Sequence, residues 1–401
     1  MTLTPHTEND AAYVIRNAAA DRKTLSIIGN GTRNGFGNRV ACDETLSSSA
    51  LTGIVDYEPA EMVMTVRAGT PVAEIEATLA ANRQMMSFEP MDHRQVMGTT
   101  GEPTIGGVFA ANASGPRRIV SGAARDSLLG IRFVNGRGEV VRAGGRVMKN
   151  VTGLDLVKLL AGSHGTLGFL TEVTFRVLPV PEILQTIVIS GLDDAAATQA
   201  MAVAMAMPVE VSGAAHLPHA VRSRFLGGDF PEGEATVLRL EGLAASVSVR
   251  AETLAGVMKD IGTVTMLGAA ESRRLWHEIR DARVYADALQ KPLWRVSVAP
   301  SVGHQLVAAL RLEAGIDAFY DWQGGLVWMQ MEADPEEQLL RRYIKAVGGG
   351  HATLLRAPEK ARATIAAFQP ETDPVAALSA RIKQKLDPAG IFSPGKLGAV
   401  F

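Results

Sequence analysis

The chain has one cysteine, Cys42, among its 401 residues. A single cysteine excludes a disulfide within the chain and leaves no cysteine-based metal or iron–sulfur site. The formal net charge is only −2 at pH 7, so the chain lacks the charge excess that attracts nucleic acid or an anionic membrane surface. The single cysteine is typical of a protein from the reducing cytoplasm.

Long apolar runs are missing as well. The most apolar helical segment covers residues 195–208, which is too short to span a bilayer and contains Thr198 and Gln199. The N-terminal residues MTLTPHTEND include neither a basic nor an apolar region, so no secretory signal is indicated. An apolar content of 47% with 20% charged residues predicts a soluble globular protein with a large core. The length predicts two or three domains.

Two common nucleotide-binding motifs are absent. No G-x-x-x-x-G-K-[S/T] string is present, which excludes a P-loop, and no G-x-G-x-x-G follows a strand and opens a helix. A nicotinamide dehydrogenase with a dinucleotide-binding fold would need the second of these motifs. The sequence therefore argues against that class of enzyme.

What the chain does contain is glycine, concentrated in two blocks on either side of a predicted hairpin at Asn135-Gly136. The blocks cover residues 98–118, GTTGEPTIGGVFAANASGPRR, and residues 162–178, GSHGTLGFLTEVTFRVL. Glycine at this density lets the backbone approach a bulky ligand and frees amide N–H groups for anionic oxygens. Ordinary turns explain isolated glycines, but two apolar glycine-rich blocks favour a bulky anionic ligand.

A third glycine-rich loop follows the first predicted buried strand. A helix is predicted over residues 8–20 with Thr7 as its N-cap, then a strand over 24–28, and then the loop GNGTRNGFGN at 29–38. Backbone amides can gather around a pyrophosphate where a strand runs into such a loop. Farther along, a strand is predicted over 62–67, followed by a helix with Thr70 as N-cap.

Strands alternate with longer helices from residue 184 onward. The pattern strand–helix–strand–strand–helix–strand occurs over 184–267 and again over 293–356. It predicts two ferredoxin-like units in tandem that pool their strands into one antiparallel sheet, with helices on one face. A period of two places Arg239, Arg295 and Gln330 on the face opposite the apolar residues. An arginine there could hold a carboxylate in a bidentate way, and a solvated sheet face is an equally good explanation.

The glycine-rich blocks also carry a family resemblance. The strings IGGVFAANASGPRR, GGRVMKNVTGLDL (144–156) and GSHGTLGFLTE resemble the flavin-binding domain of the vanillyl-alcohol-oxidase, or PCMH-type, FAD oxidoreductases. Within that superfamily the chain is most similar to the FAD-binding E subunits of bacterial glycolate oxidases, almost end to end. The similarity continues through LWRVSVAP, GGHATLLRAP and DPAGIFSPGK, where Ser393 replaces the asparagine usual in N-P-G-K.

The resemblance implies an α+β fold with three parts. Residues 1–180 would form a two-subdomain PCMH-type FAD-binding domain, and residues 181–356 a cap domain with an antiparallel sheet flanked by helices. Residues 357–401 would form a C-terminal helical segment that returns to the FAD domain. FAD is the implied cofactor, and it is expected to be non-covalent because residues 29–38 lack the histidine that some relatives link to the flavin.

The motif matches assign a set of residues to FAD binding, mostly glycines and short polar side chains. They are Gly29, Asn30, Gly31, Thr32, Gly35, Gly106, Gly107, Asn112, Ser114, Gly115, Ser121, Gly122, Gly165, Gly168 and Phe169.

The implied activity is oxidation of a small 2-hydroxy acid, glycolate to glyoxylate or D-lactate, by hydride transfer to flavin in glycolate catabolism. The implied partners are a second flavin subunit and an iron–sulfur subunit, in a complex that is cytoplasmic or peripheral at the inner membrane. Related dehydrogenases usually carry the metal-binding motifs H-x-x-G-D-G-N and G-E-H-G, and this chain has neither. A flavin-bearing relay or structural subunit that oxidises no substrate itself is therefore the alternative.

The catalytic residues stay open, with Arg239, Arg295 and His351 as candidates. Histidine is a residue type suited to proton transfer, but for His351 a structural histidine before a strand is the better interpretation because no carboxylate is close in sequence. His216 and His219 form the only close histidine pair, and Pro218 between them argues against a helix that presents both to a metal. No metal site is predicted.

Overall fold

The structure is a computed structural model that describes residues 1–146, 154–230 and 233–398. The middle of the 144–156 motif, residues 147–153, lies outside the described residues. The chain folds into two compact units. Unit 1 comprises Met1–Ser114, Gly122–Pro179 and Pro370–Phe401, and unit 2 comprises Gly115–Ser121 and Val180–Gln369.

The strands and helices alternate irregularly in unit 1 and more regularly in unit 2. The strands are β1 (Thr2–Leu3), β2 (Leu25–Ile28), β3 (Glu44–Ser47), β4 (Ile54–Glu58), β5 (Val63–Arg67), β6 (Gln84–Met85), β7 (Leu128–Val134), β8 (Val140–Gly144), β9 (Phe169–Arg176), β10 (Leu178–Pro179), β11 (Ile183–Ser190), β12 (Gly213–Leu217), β13 (Ala235–Gly242), β14 (Thr263–Leu267), β15 (Leu293–Ser297), β16 (Ile316–Asp321), β17 (Leu326–Met331) and β18 (His351–Arg356). The helices are α1 (Glu8–Asp21), α2 (Val72–Ala81), α3 (Arg94–Met97), α4 (Ile105–Ala110), α5 (Arg118–Ser121), α6 (Ala124–Ser127), α7 (Leu156–Leu160), α8 (Asp194–Ala206), α9 (His219–Arg222), α10 (Ala244–Met258), α11 (Ala269–Arg280), α12 (Gly303–Arg311), α13 (Glu337–Ala346), α14 (Glu359–Arg362) and α15 (Asp373–Leu386).

Unit 1 contains two main sheets. A parallel sheet has the order β1–β3–β2, and a five-stranded antiparallel sheet has the order β4–β5–β9–β7–β8. The predicted hairpin is confirmed as β7 and β8, with Val134 paired to Val140. Each sheet packs on its own hydrophobic core, one under α1 and one under α2 and α4.

The helix starts of unit 1 confirm one capping prediction and correct another. Thr7 caps α1, since its hydroxyl accepts the Asp10 N–H at 3.1 Å and the Asp10 carboxylate accepts the Thr7 N–H at 2.9 Å. The prediction of Thr70 as the cap of α2 was wrong, because Pro71 holds the N-cap position and contributes no side-chain hydrogen bond. The Thr70 hydroxyl instead donates to the Arg67 carbonyl at 2.8 Å and closes the turn after β5.

The C-terminal segment packs beside β2, the strand that leads into the loop at 29–38. Phe392 forms a parallel bridge with Leu25, and the Ser393 hydroxyl accepts the Ile27 N–H at 3.2 Å. The buried Lys383 ammonium donates to the carbonyls of Thr166 at 2.7 Å and Phe392 at 2.9 Å. These bonds hold the segment and the loop that precedes β9 together.

Unit 2 is built on one eight-stranded sheet in which every pair is antiparallel. Its order is β14–β11–β13–β12 in one half and β16–β17–β15–β18 in the other, and the halves join where His216 of β12 pairs with Tyr320 of β16. Each half is the strand set of a ferredoxin-like unit. The predicted tandem is therefore confirmed.

The apolar and polar faces of this sheet lie as predicted, but the prediction of helices on one face alone was wrong, because Trp276 of α11 packs on the arginine-bearing face. Helices α8 and α10 cover the apolar face of the first half, and α12 and α13 cover that of the second half, where Leu238, Leu240 and Trp294 are buried. Arg239 and Arg295 lie on the opposite face, part of which is covered by α11 through a hydrogen bond from Trp276 Nε1 to Thr186 Oγ1 of 2.9 Å. Among the described helices, none has the length and apolar character needed to cross a bilayer.

Candidate functional site

A cavity lies in unit 1, where sequence-distant glycine blocks meet, and its empty space, counted together with space open to solvent, is about 780 Å³. Its walls come from the loop after β2, from the first turn and body of α4, from the loop that precedes β9, and from Lys396. Nine of the residues matched to FAD line it, and these are Gly29, Asn30, Gly31, Thr32, Gly106, Gly107, Gly165, Gly168 and Phe169.

The other six matched residues lie outside this lining: Gly35, Asn112, Ser114, Gly115, Ser121 and Gly122. Two of them organise a turn instead, since Asn112 Oδ1 accepts the Arg125 N–H and Ser114 Oγ accepts the Ala124 N–H, both at 2.9 Å. Gly115 and Ser121 belong to unit 2.

The cavity glycines are needed for different reasons. A Cβ on Gly106 would lie 2.8 Å from the Cβ and the carbonyl oxygen of Ala68, and one on Gly168 would lie 2.6 Å from the ring of Phe133. These two glycines are required by packing within the protein. A Cβ on Gly107 would meet only the ends of the Arg33 and Thr104 side chains, at 3.2 Å. Gly107 is therefore the position where added bulk would mainly take space from a ligand.

Two cations in this cavity were not identified from the sequence. Arg33 and Lys396 line it, and the described residues that line it include no aspartate or glutamate. Burial lowers the pKa of Arg33 to about 10, against the opposing effect of Asp92. Its Nε atom has no hydrogen-bond partner among the described residues. Arg33 lies within the glycine-rich loop and Lys396 ends the S-P-G-K string, so position within these motifs was the available signal.

His164 adds a neutral aromatic surface to the cavity wall. Its ring stacks on Phe36 with a centroid distance of 5.0 Å and an interplanar angle of 20°. Burial lowers the pKa of His164 to about 3, and the positive charges of Lys396 and Arg33 act in the same direction. The imidazole is therefore uncharged at neutral pH.

The cavity thus combines two cations, closely packed backbone and apolar walls. Cations and free amide groups suit the pyrophosphate of a dinucleotide, and the apolar walls suit its rings. The residues present therefore fit FAD.

The arginines predicted on the unit 2 sheet have different surroundings. Arg239 is fully buried, lies 4.7 Å from the ring centroid of Trp276, and donates to Ser212 Oγ at 3.1 Å and to the Ser212 carbonyl at 3.0 Å. Arg295 lies over the ring of Trp322 with a centroid distance of 4.9 Å.

The three candidate histidines do not share one environment. His351 is exposed at the start of β18 and pairs with Ser297. His216 is buried under the helices, where Nδ1 lies 2.9 Å from Thr236 Oγ1 and Nε2 lies 3.3 Å from Asp194. His219 begins α9 on the other side of Pro218. The contacts of His216 are those of a structural buried histidine.

Comparison with known proteins agrees with this geometry. The family model described as "FAD binding domain" matches residues 1–144. The chain is 32% identical over 389 residues to the glycolate oxidase subunit GlcE of Escherichia coli strain K12, covering 96% of this chain and 95% of that protein. It is also 33% identical over 165 residues to the D-2-hydroxyglutarate dehydrogenase of Xanthomonas citri pv. viticola, covering 40% of this chain and 34% of that protein.

A solved structure supports the fold over the whole length. The structure of p-cresol methylhydroxylase with substrate bound aligns with a TM-score of 0.72 and 15% identity, covering 99% of this chain and 88% of that one. At this identity the likeness shows the fold alone. The fold is that of the PCMH-type proteins, as the resemblance implied.

Proposed function

Because this chain belongs to the family of FAD-binding glycolate oxidase E subunits, we propose that it is the FAD-bearing subunit of a complex that oxidises a small 2-hydroxy acid. Glycolate is the proposed substrate and glyoxylate the product, with D-lactate as a further substrate. Unit 1 with its C-terminal segment is proposed to be the FAD-binding domain, and unit 2 the cap domain.

The observation that carries this proposal is the unit 1 cavity. Three glycine-rich segments, far apart in sequence, form its walls together with Arg33 and Lys396. When bound, FAD supplies the acceptor for the hydride that leaves the carbinol carbon of the acid. The chain's own residues then have two tasks: Arg33 and Lys396 neutralise the pyrophosphate, and the half-buried His164 and the buried Phe36 offer flat surfaces to the cofactor's rings.

We propose that the cofactor is held without a covalent bond. Non-covalent binding is supported by residues 29–38, which include no histidine. The cysteine, Cys42, is not among the residues that line the cavity.

The proposed partners are a second flavin subunit and an iron–sulfur subunit, since the similar protein of Escherichia coli is named a glycolate oxidase subunit. The complex is proposed to work in the cytoplasm or at the inner surface of the membrane. Within it, unit 1 would hold one flavin, and electrons would leave through a partner, because this chain has too few cysteines for an iron–sulfur cluster.

An anaerobic absorption spectrum of the purified, flavin-loaded chain tests the activity. Loss of the oxidised-flavin absorption after addition of glycolate to the chain alone is the expected result. The alternative, a relay subunit that oxidises no substrate itself, predicts an unchanged spectrum for the chain alone and bleaching only after the partner subunits are added. Failure of the assembled complex to bleach with glycolate or D-lactate would overturn the proposed activity.

A further inference from the structure

Two arginines in unit 2 share one indole ring. The guanidinium carbon of Arg118, from the segment Gly115–Ser121, lies 4.6 Å from the ring centroid of Trp322, and that of Arg295, from β15, lies 4.9 Å from it. A cation–π contact explains one such arginine. A second cation at the same ring places two like charges close together.

The neighbouring arginine shows what a structural pair looks like here. Arg117 forms an ion pair with Glu241 at 2.6 Å, and the two side chains are only 6% and 10% exposed. Arg118 follows it directly but turns toward Trp322 and is only partly buried. Adjacent residues in this G-P-R-R string thus have different surroundings.

Arg295 has an unusual lack of partners. Among the described residues its guanidinium has neither a hydrogen bond nor an ion pair, although it is only partly exposed. Burial and the nearby Arg118 lower the pKa of Arg295 to about 10, while Asp321 acts in the opposite direction.

The backbone is strained where it presents Trp322. Trp322 and Gln323 have φ angles of +51° and +54°, in the left-handed region that side chains other than glycine seldom adopt. Two hydrogen bonds hold the conformation: the Trp322 N–H donates to Asp321 Oδ1 at 2.7 Å, and Nε1 donates to the Gly115 carbonyl at 3.0 Å. Backbone strain that is held in this way is concentrated at functional sites.

The sheet beside Arg295 has further donors. Arg295 pairs with Trp328 across β15 and β17, so Gln330 is its diagonal neighbour on the same face. Gln330 is 4% exposed, and its Nε2 has no hydrogen-bond partner among the described residues. Arg295 and Gln330 thus place donors without described hydrogen-bond partners on one face of the sheet, which is the complement of an anion.

We propose that Arg295 and Arg118, held on the ring of Trp322, bind the carboxylate of the small 2-hydroxy acid. A planar guanidinium binds a carboxylate through two parallel hydrogen bonds. That the acid is a 2-hydroxy acid rests on the proposed function, whereas the preference for a carboxylate rests on the arginines alone.

Isothermal titration calorimetry with glycolate tests this site, on the flavin-loaded chain and on the same chain stripped of flavin. Arg295→Met keeps the apolar stem and removes the charged fork, so glycolate should bind about tenfold to a hundredfold more weakly. Arg295→Lys should recover part of the loss, since it keeps the charge without the fork. Glycolamide, which lacks the carboxylate charge, should not bind measurably to the wild-type chain.

Arg342→Met is the matched control. Arg342 also lies over an aromatic ring of unit 2, that of Tyr343 at 5.3 Å, but it is exposed and paired with Glu313. The Arg342→Met variant should bind glycolate as tightly as the wild type does. Thermal unfolding should show that all variants are folded. Equal affinities of the wild type and Arg295→Met, or equal binding of glycolate and glycolamide, would overturn the site.

Flavin content, measured on the same samples, separates this proposal from the proposed function. Normal flavin content with no arginine-dependent binding of glycolate would overturn the carboxylate site alone. Arginine-dependent binding in a chain that holds no flavin even when FAD is supplied would support the site and overturn the proposed function.

Discussion

Arg239 and Arg295 lie on the same face of the same sheet, and each lies over a tryptophan, at 4.7 Å and 4.9 Å from the ring centroid. In the first half of unit 2, Arg239 is fully buried and bonded to the hydroxyl and carbonyl of Ser212. In the second half, Arg295 has no bonded partner among the described residues and shares its ring with Arg118. The same arginine–tryptophan pair thus has a hydrogen-bonded guanidinium in the first half and a guanidinium without described hydrogen bonds in the second.

The contrast shows how a structural arginine differs from a binding one. A buried guanidinium whose donors are satisfied stabilises the fold, and its removal leaves buried acceptors without partners. A guanidinium without partners contributes little to the fold and remains available to a ligand. Removing each arginine in turn should therefore affect different properties of the protein.

The largest effect is expected for Arg239→Met. It leaves the buried Ser212 carbonyl without this donor and should lower the free energy of unfolding by about 2–4 kcal/mol. Arg295→Met removes no hydrogen bond and relieves repulsion with Arg118, so its free energy of unfolding should stay within about 1 kcal/mol of wild type. Urea unfolding of both variants measures the difference. Equal destabilisation would remove the distinction between the two arginines.

The glycines of α4 extend the contrast to unit 1. Gly106→Ala overpacks against Ala68 and should cost about 1–3 kcal/mol of stability. Gly107→Ala meets only side-chain ends, so its stability should change by less than about 1 kcal/mol while FAD affinity falls tenfold or more. The φ angle of Gly107 is not positive, so a strained backbone does not contribute.

Gly107→Val should abolish FAD retention and leave unit 2 folded. Unchanged flavin content in both Gly107 variants would contradict the assignment of the cavity.

Lys396 tests the charge in the cavity separately from its shape. Lys396→Met should weaken FAD binding about tenfold, since a charge-assisted contact to a phosphate is worth roughly 1.5 kcal/mol or more. Lys385→Met, on the exposed side of α15, serves as the control. Flavin fluorescence titration of the stripped chain gives both dissociation constants. Identical constants for the two variants would place the pyrophosphate elsewhere.

The smallest effect is expected from the titration of His164. Its pKa is lowered from 6.5 to about 3 in the folded chain, so the unfolded chain binds the extra proton as the pH falls below 6.5. Above pH 6.5 the ring is neutral in both states, and the folded state keeps its full stability. As the pH falls from 6.5 to 5.5, the free energy of unfolding should decrease by about 1 kcal/mol, because only the unfolded chain takes up the proton. His164→Gln should flatten the pH dependence of stability in that window. Parallel profiles for His164→Gln and the wild type would contradict the burial of the imidazole.

Periodicity alone predicted most of unit 2. The alternation of Leu238, Arg239 and Leu240 on β13 specifies which face packs under helices, and two successive patterns specify the tandem. The pattern does not reveal what covers the other face, because Trp276 reaches Arg239 from a helix far along the chain. Whether a guanidinium finds hydrogen-bond partners depends on residues that are distant in sequence. Arg239 and Arg295 therefore looked alike in the sequence.

Less of unit 1 could be predicted from the sequence. The glycine-rich blocks marked the cavity, but the roles of individual glycines depend on distant neighbours such as Ala68 for Gly106. The cap of α2 was assigned to Thr70 because threonine is a common cap, yet the turn after β5 uses its hydroxyl. The contacts of Gly115–Ser121 with unit 2 could not be read from a motif that looks continuous with α4.

The most direct test of the account is acid precipitation of the purified chain after it has been saturated with FAD and freed of excess. The account predicts intact FAD in the supernatant, equimolar with the protein, and a colourless pellet. Flavin that stays in the pellet would show a covalent bond, and a chain that retains no flavin before precipitation would contradict the assignment of the unit 1 cavity to FAD.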